Sequence, residues 1–360
     1  MSGTVTEEDL GTRIEEALRH SFSERSAAAE KYGAEFVGLW RAAAQHALGG
    51  KLVRPRLLID LLQSLSPSPL SERETACAID VAAHVELLHF AFLLHDDVID
   101  GDLTRRRGPN LIGALVAAHA DAHVEPALHW ARSSAILLGD MLLSSAVLGF
   151  ARADVSADAR ERLLSLLEQT IFETVAGEHA DVALSDGVIA PDLRTILATS
   201  TYKTATYSFV LPLRAAAVLA GSSPAAEEQL SEIGRHLGLA YQLQDDLLSV
   251  FGDPGQHGKD AYSDLREGKE TAIIAYARMT AHWESIEVHF GRSELTVSEG
   301  SEARDRLRAC GAESFVLGLI HEHLDAVSTA LADAESDGTL PAAAAQTIRA
   351  HASRVEGRRR

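Results

Sequence analysis

Cysteine is nearly absent: Cys77 and Cys310 are the only two in 360 residues. They lie far apart with no metal-ligand spacing, which excludes a disulfide scaffold or a cysteine-based zinc site and fits a reducing, cytoplasmic setting. Positive charge is scarce as well. Lys and Arg number 33 against 52 Asp and Glu, a formal net charge of -19. The chain as a whole therefore repels nucleic-acid phosphates and anionic membrane surfaces, so no nucleic-acid partner is expected. An anionic substrate would have to be met by metal ions or local basic clusters. Long apolar runs are missing too. Stretches such as Ala135 to Leu138 and Met141 to Phe150 are separated by Gly139 and Asp140, so stable membrane insertion is not expected. The acidic start MSGTVTEEDL carries no signal-peptide pattern.

What is present points to helices. The chain is 46% hydrophobic, with Ala and Leu prominent, enough to bury a large core as one big domain or two modest ones. No shift of composition marks a second domain, so residues 1-360 read as one domain with 1-25 and 352-360 as flexible ends. Between Gly33 and Ala83 apolar residues recur at three- and four-residue spacing, broken by the loop Ser64 to Pro69. Ser71 with Glu74 reads as a capping box, and Ser223-Pro224 as a second helix start whose pattern runs to about Val250. The polar stretch Gly291 to Gly300 reads as a loop, and no convincing strand is found.

Three charged segments carry the chemistry. The first ends an apolar helical run with Asp96, Asp97 and Asp100; Asp96 and Asp100 share a helix face, and their repulsion invites a cation. Hard carboxylate oxygens suit Mg²⁺, which is commonly held by one or two carboxylates and substrate phosphate. Arg105 and Arg106 follow within ten residues, supplying guanidinium forks of the kind that grip polyphosphates. The second segment is Gln242-Leu243-Gln244-Asp245-Asp246, followed downstream by Lys259 and Lys269 in glycine-containing stretches. The third is Gly49-Gly50-Lys51-Leu52-Val53-Arg54, where the glycines permit close backbone approach and Lys51 and Arg54 can converge on one anion. Taken singly, each segment also reads as a solvated charged surface.

Together, and with Gly139-Asp140, Gly177-Glu178, Asp181 and Tyr202-Lys203-Thr204, these segments resemble the trans-isoprenyl diphosphate synthases, the polyprenyl synthetase family, over roughly Ala44 to Thr271. The resemblance implies an all-α helical bundle around a deep central cavity, a homodimer, and a head-to-tail condensation of isopentenyl diphosphate with an allylic diphosphate (dimethylallyl, geranyl or farnesyl). It implies three Mg²⁺ ions: two held by Asp96 and Asp100, with Asp97 in support, and one held by Asp245 on the facing wall, with Asp246 behind it. Arg105, Lys203 and Lys259 match positions that hold the allylic diphosphate, and Lys269 matches a further lysine of the distal loop. Thr204 and Gln242 match polar positions near the allylic carbon. Lys51, Arg54, His89 and Arg106 match the metal-free isopentenyl diphosphate site. His95, beside the aspartates, has no matching role.

Three positions depart from the common pattern. Ser249 stands where many relatives carry a third Asp of the second motif, with Asp253 as a nearby substitute; Arg107 stands in the usual place of a glycine; and Glu178 replaces a frequent Gln. The resemblance further implies that the growing tail runs down from Asp96 along its helix, so that Phe92 and Ala91, one turn before Asp96, form the cavity floor, with Leu88 a turn deeper. An isoprene unit of roughly 5 Å is close to a helix turn of about 5.4 Å. The pairing of Phe92 with the small Ala91 favours geranylgeranyl diphosphate (C20) over farnesyl diphosphate (C15). Open alternatives are a class I terpene cyclase, whose second metal motif would differ, a non-catalytic subunit of a heteromeric synthase, and a plain helical scaffold.

Overall fold

The computed structural model describes residues 7-105, 108-119, 124-252 and 262-357. Arg106, Arg107, Asp253, Lys259 and Arg358 to Arg360 lie outside the described residues. Among the described residues the structure is all-α apart from one small hairpin, Thr104-Arg105 paired antiparallel with Gly108-Pro109. It divides into two compact units, Met1-Leu167 with Val218-Gly221, and Glu168-Ala217 with Ser222-Arg360.

The first unit contains helices α1 (Glu7-Ala29), α2 (Ala34-Ala47), α3 (Val53-Leu65), α4 (Glu72-Ile99), α5 (Leu111-Ala118) and α6 (Val124-Arg152), and the start of α7 (Ala157-Ser185). Helix α4 begins at the expected capping box: the Glu74 amide donates to Ser71 Oγ, and the Glu74 carboxylate accepts from the Ser71 amide at 2.7 Å. It packs against α1, α3 and α6 and is buried on several faces, through Val81, Val85, Leu87, Leu88, Ala91 and Leu94, as a helix apolar all round must be. By length and composition α4 and α6 could each cross a bilayer, which the reading of uninterrupted runs did not anticipate; in α4 that apolarity belongs to a core helix.

The seam between α4 and α6 is set by glycine. A β-carbon on Gly139 would lie 2.4 Å from His95 Nε2, and one on Gly149 2.2 Å from His84 Cγ. Each glycine thus leaves room for an imidazole of α4, and the two helices approach closely. On the other side, α1 buries Leu10, Ile14, Leu18 and Phe22, with the Phe22 ring 6.2 Å from Trp40 and 6.5 Å from Phe90 between centroids. This helix covers most of the stretch expected to be a flexible end.

The second unit continues α7 and adds α8 (Leu193-Ser200), a π-helical segment (Thr201-Val210), α9 (Leu211-Leu219), α10 (Pro224-Phe251), α11 (Ser263-Glu267), α12 (Ala272-Arg278), α13 (Trp283-Glu287), α14 (Val297-Ala309), α15 (Ala312-Ser336) and α16 (Ala342-Glu356). Its axis is α10, capped by Ser223 with Pro224 in the first turn as expected, and packed against the π segment and α15. Gly234 and Gly238 on α10 admit the π segment: β-carbons there would come within 2.9 Å of Val210 Cα and 2.4 Å of Ala205 Cβ. The expected loop at 291-300 is shorter than the sequence reading has it, because Thr296 and Glu299 form a capping box that starts α14. Helix α16 reaches Glu356 and buries Val355, so it covers part of the other stretch expected to be a flexible end.

Candidate active site

In the first unit the acidic site is the C-terminal end of α4. Asp100 caps the helix, its amide donating to Asp96 O at 2.8 Å; Gly101 follows at φ +75°, and the Asp102 amide returns to Asp97 O at 2.9 Å. This is a Schellman-type stop that needs a glycine at the left-handed position. The helical period then sorts the three aspartates. Asp97 is buried, Asp96 half-buried and Asp100 exposed.

The hairpin brings Arg105 onto this end. Its Nη2 lies 2.5 Å from Asp97 Oδ1 and 3.6 Å from Asp96 Oδ2. Burial pushes the Asp97 carboxyl up to about 6, with Arg105 pulling against it. The buried Nε of Arg105 has no hydrogen-bond partner among the described residues, so the guanidinium keeps a donor for an incoming anion. Asn110 fixes the returning strand, donating to Asp102 O at 2.8 Å and accepting from the Gly113 amide at 2.9 Å. Beside the aspartates, His95 Nε2 is 3.3 Å from Asp140 Oδ1, a pairing made possible by Gly139.

The remaining expected positions of this unit are spread along it. Lys51 is exposed just before α3 and Arg54 half-buried in its first turn; Leu52 between them is buried at φ +49°. On α4, His89 and Phe92 are half-buried, while Ala91 and Leu88 are fully enclosed.

In the second unit, α10 carries Gln242, Asp245 and Asp246. Asp246 is buried, accepts from Gln242 Nε2 at 2.7 Å, and is lifted to about 7 by burial and by Asp264, with Lys269 and the Gln242 hydrogen bond opposing. Lys269 is brought there by a tight return: Gly268 ends α11 at φ +75° and the Lys269 amide donates to Asp264 O at 2.9 Å. Ser249 is buried, with its Oγ unpartnered among the described residues.

The same unit holds Lys203 and Thr204 in the π segment, both half-buried. Lys203 Nζ donates to Asp181 Oδ2 at 2.6 Å and lies 3.0 Å from Glu178 Oε2, both on α7. A β-carbon on Gly177 would sit 2.2 Å from the Lys203 amide nitrogen, so the glycine lets the two backbones touch. Wide π turns recur at functional positions, where they displace side chains from the α-helical register.

The structure therefore joins Asp96, Asp97 and Arg105 in one unit, and separately Gln242 with Asp246 near Lys269, and Lys203 with α7, in the other. The part played by Asp264 and the double carboxylate grip on Lys203 escape a reading of the sequence. The Glu178 to Asp181 spacing, three apart on a helix, is the signal that could have revealed the grip.

Oxygen-only donors in both aspartate clusters fit magnesium, and the crowding of Asp246 by Asp264 and Asp245 is negative charge that a cation would relieve.

Residues 38-304 match the Polyprenyl synthetase family model. The chain is 33% identical over 238 residues to a geranylfarnesyl diphosphate synthase from Aeropyrum pernix, covering 64% of this chain and 66% of that protein. It is 33% identical over 239 residues to a (2E,6E)-farnesyl diphosphate synthase from Mycobacterium tuberculosis, covering 63% and 56%. The match thus spans two thirds or less of these relatives' lengths. Among solved structures, a geranylgeranyl pyrophosphate synthase from Corynebacterium glutamicum, crystallised with isoprenyl diphosphate and magnesium, superposes with a TM-score of 0.85 at 28% identity, over 96% of this chain and 99% of that one.

Proposed function

Because the chain belongs to the polyprenyl synthetase family, we propose that it catalyses the magnesium-dependent head-to-tail condensation of isopentenyl diphosphate with an allylic diphosphate. The observation that carries this reading is the repeated placing of a helix-borne aspartate pair beside a cation: Asp96 and Asp97 with Arg105, and Asp246, next to Asp245, with Lys269. Asp96 and Asp100 would hold two Mg²⁺ ions and Asp245 a third.

The reaction starts when the allylic carbon-oxygen bond breaks and pyrophosphate departs with the electron pair. Arg105, Lys203 and Lys269 would bring positive charge to the diphosphate, and Mg²⁺ held by the aspartates would add to the neutralisation of the departing group. Asp97 holds Arg105 in place through the short ion pair, and Gln242 does the same for Asp246. The isopentenyl double bond, its diphosphate held by Lys51, Arg54 and His89, then attacks the allylic cation to form the new carbon-carbon bond. Loss of a proton to pyrophosphate restores an alkene. Apolar side chains around Leu88, Ala91 and Phe92 keep water from the cation.

Geranylgeranyl diphosphate is the product this reading favours, on the Phe92 and Ala91 pairing. The relatives' names span geranylfarnesyl, farnesyl and geranylgeranyl products. A homodimer is supported by the apolar side chains that α6 leaves exposed, with Leu137 61% and Leu148 49% accessible, a stripe that a second copy would cover. Incubating the purified chain with labelled isopentenyl diphosphate and each allylic starter, followed by chromatography of the products, tests the proposal. No elongation by the chain alone would leave it a non-catalytic subunit.

A further inference from the structure

Lys269 lies on the short link between α11 and α12, half-buried and close enough to Asp246 for the two charges to interact. A lysine side chain is long and flexible, so its ammonium is only as well placed as the backbone that carries it. Two backbone contacts brace that link. The Lys269 amide donates to Asp264 O at 2.9 Å, and the Gly291 amide donates to Leu265 O at 2.8 Å. Gly268 and Gly291 also meet closely, since a β-carbon on Gly268 would lie 3.1 Å from Gly291 Cα.

A third brace is made by side chains. Glu270, the residue after Lys269, is buried, and Arg278 at the end of α12 grips both of its oxygens, Nη2 donating to Oε1 at 2.5 Å and Nε to Oε2 at 3.3 Å. A buried carboxylate is costly without its partner, so Glu270 is tied to wherever Arg278 is held. Arg278 is itself held by stacking. Its guanidinium carbon lies 4.2 Å from the Trp283 ring centroid and 5.6 Å from that of Phe290, which directly precedes Gly291. The flat, forked guanidinium thus serves the carboxylate with its edge and the indole with its face, a combination that lysine could not supply.

We propose that Arg278, stacked on Trp283, is a positioning residue that acts through Glu270 to fix the link carrying Lys269, so that the ammonium meets an allylic diphosphate already in place. This rests on the reading of Lys269 as an allylic-diphosphate contact. Arg278 itself touches no substrate in this account; it spares binding the cost of ordering the link.

The test is steady-state kinetics of the full chain in Mg²⁺, with geranyl diphosphate and isopentenyl diphosphate varied separately, beside amide hydrogen exchange of residues 264-271. Arg278→Gln should raise the KM for geranyl diphosphate roughly tenfold, the lower end of what losing a hydrogen bond to a charged group costs, and leave that for isopentenyl diphosphate unchanged. Exchange at 264-271 should quicken while α10 and α15 keep their protection. Arg278→Lys should recover only part of the loss, and Arg278→Gln should add nothing in a chain already carrying Lys269→Gln. Should Arg278→Gln fail to fold, Glu270→Gln and Arg278→Lys carry the same expectation of a rise for the allylic substrate alone. An unchanged KM for geranyl diphosphate in the Arg278 and Glu270 variants, where Lys269→Gln raises it, overturns the proposal, and so do equal rises for both substrates, which mark a merely structural role. If Lys269→Gln leaves the KM for geranyl diphosphate unchanged, the reading of Lys269 fails and this proposal with it. If the unaltered chain elongates nothing, it is the proposed function that fails.

Discussion

A β-carbon on Gly177 would lie 2.2 Å from the backbone nitrogen of Lys203 and 2.7 Å from its Cα. No side chain can rotate out of such an overlap, because the obstacle is main chain. Gly177→Ala should therefore push α7 and the π segment apart at a cost of about 1-3 kcal/mol, the usual range for overpacking. It should also raise the KM for the allylic substrate, since Lys203 moves with the segment. Gly318→Ala, in a helix where the added carbon meets nothing within 4 Å, is the control and should be neutral or slightly stabilising. Urea unfolding midpoints and steady-state kinetics of the two variants check both statements; equal midpoints would remove the argument for close contact.

Two histidines join α10 to α15. Nδ1 of His236 lies 2.8 Å from Nδ1 of His323, and burial, with His236 adding to it, lowers the pKa of His323. The unfolded chain then binds a proton that the folded one refuses, so this site's contribution to stability is complete above the unfolded histidine value of about 6.5 and is lost as pH falls from there toward the lowered folded value. Comparing unfolding midpoints at pH 7.5 and 5.5, the drop should be smaller in His323→Gln than in the unaltered chain. An identical drop in both contradicts the assignment.

Chain length should respond to the residues one turn before Asp96. Phe92→Ala should lengthen the products, and Ala91→Phe should shorten them at a cost in stability, because Ala91 is fully enclosed and has no room for a ring. Product chromatography reads both. Wild-type distributions in both variants would move the floor elsewhere, to Leu88 or to another helix.

Much of this was legible in the sequence, for physical reasons. Apolar periodicity and the Ser71 and Ser223 caps announce α4 and α10, both carry an aspartate pair in their C-terminal half, and in α4 the spacing of Asp96 and Asp100 alone puts two acids on one face. The Thr296 to Glu299 box carried the same kind of signal, hidden in a polar stretch. The π segment was not legible: Thr201 to Val210 contains neither glycine nor proline, and its wider turns depend on Gly177, Gly234 and Gly238 in helices distant in sequence. Nor was the pairing of Arg105 with Asp97 in preference to Asp96, because it depends on two strands of two residues each, too short to leave a pattern.

The central proposal is that aspartates of α4 and α10 hold magnesium for a leaving pyrophosphate. The measurement that tests it most directly is extension of an allylic diphosphate with labelled isopentenyl diphosphate by the purified chain, in Mg²⁺ and in chelator, beside Asp96→Ala and Asp245→Ala. The account predicts elongation in Mg²⁺, none in chelator, and a loss of at least roughly 100-fold in turnover for each variant, the scale of losing a charge-stabilising contact. Near-normal turnover in chelator or in either variant would contradict it.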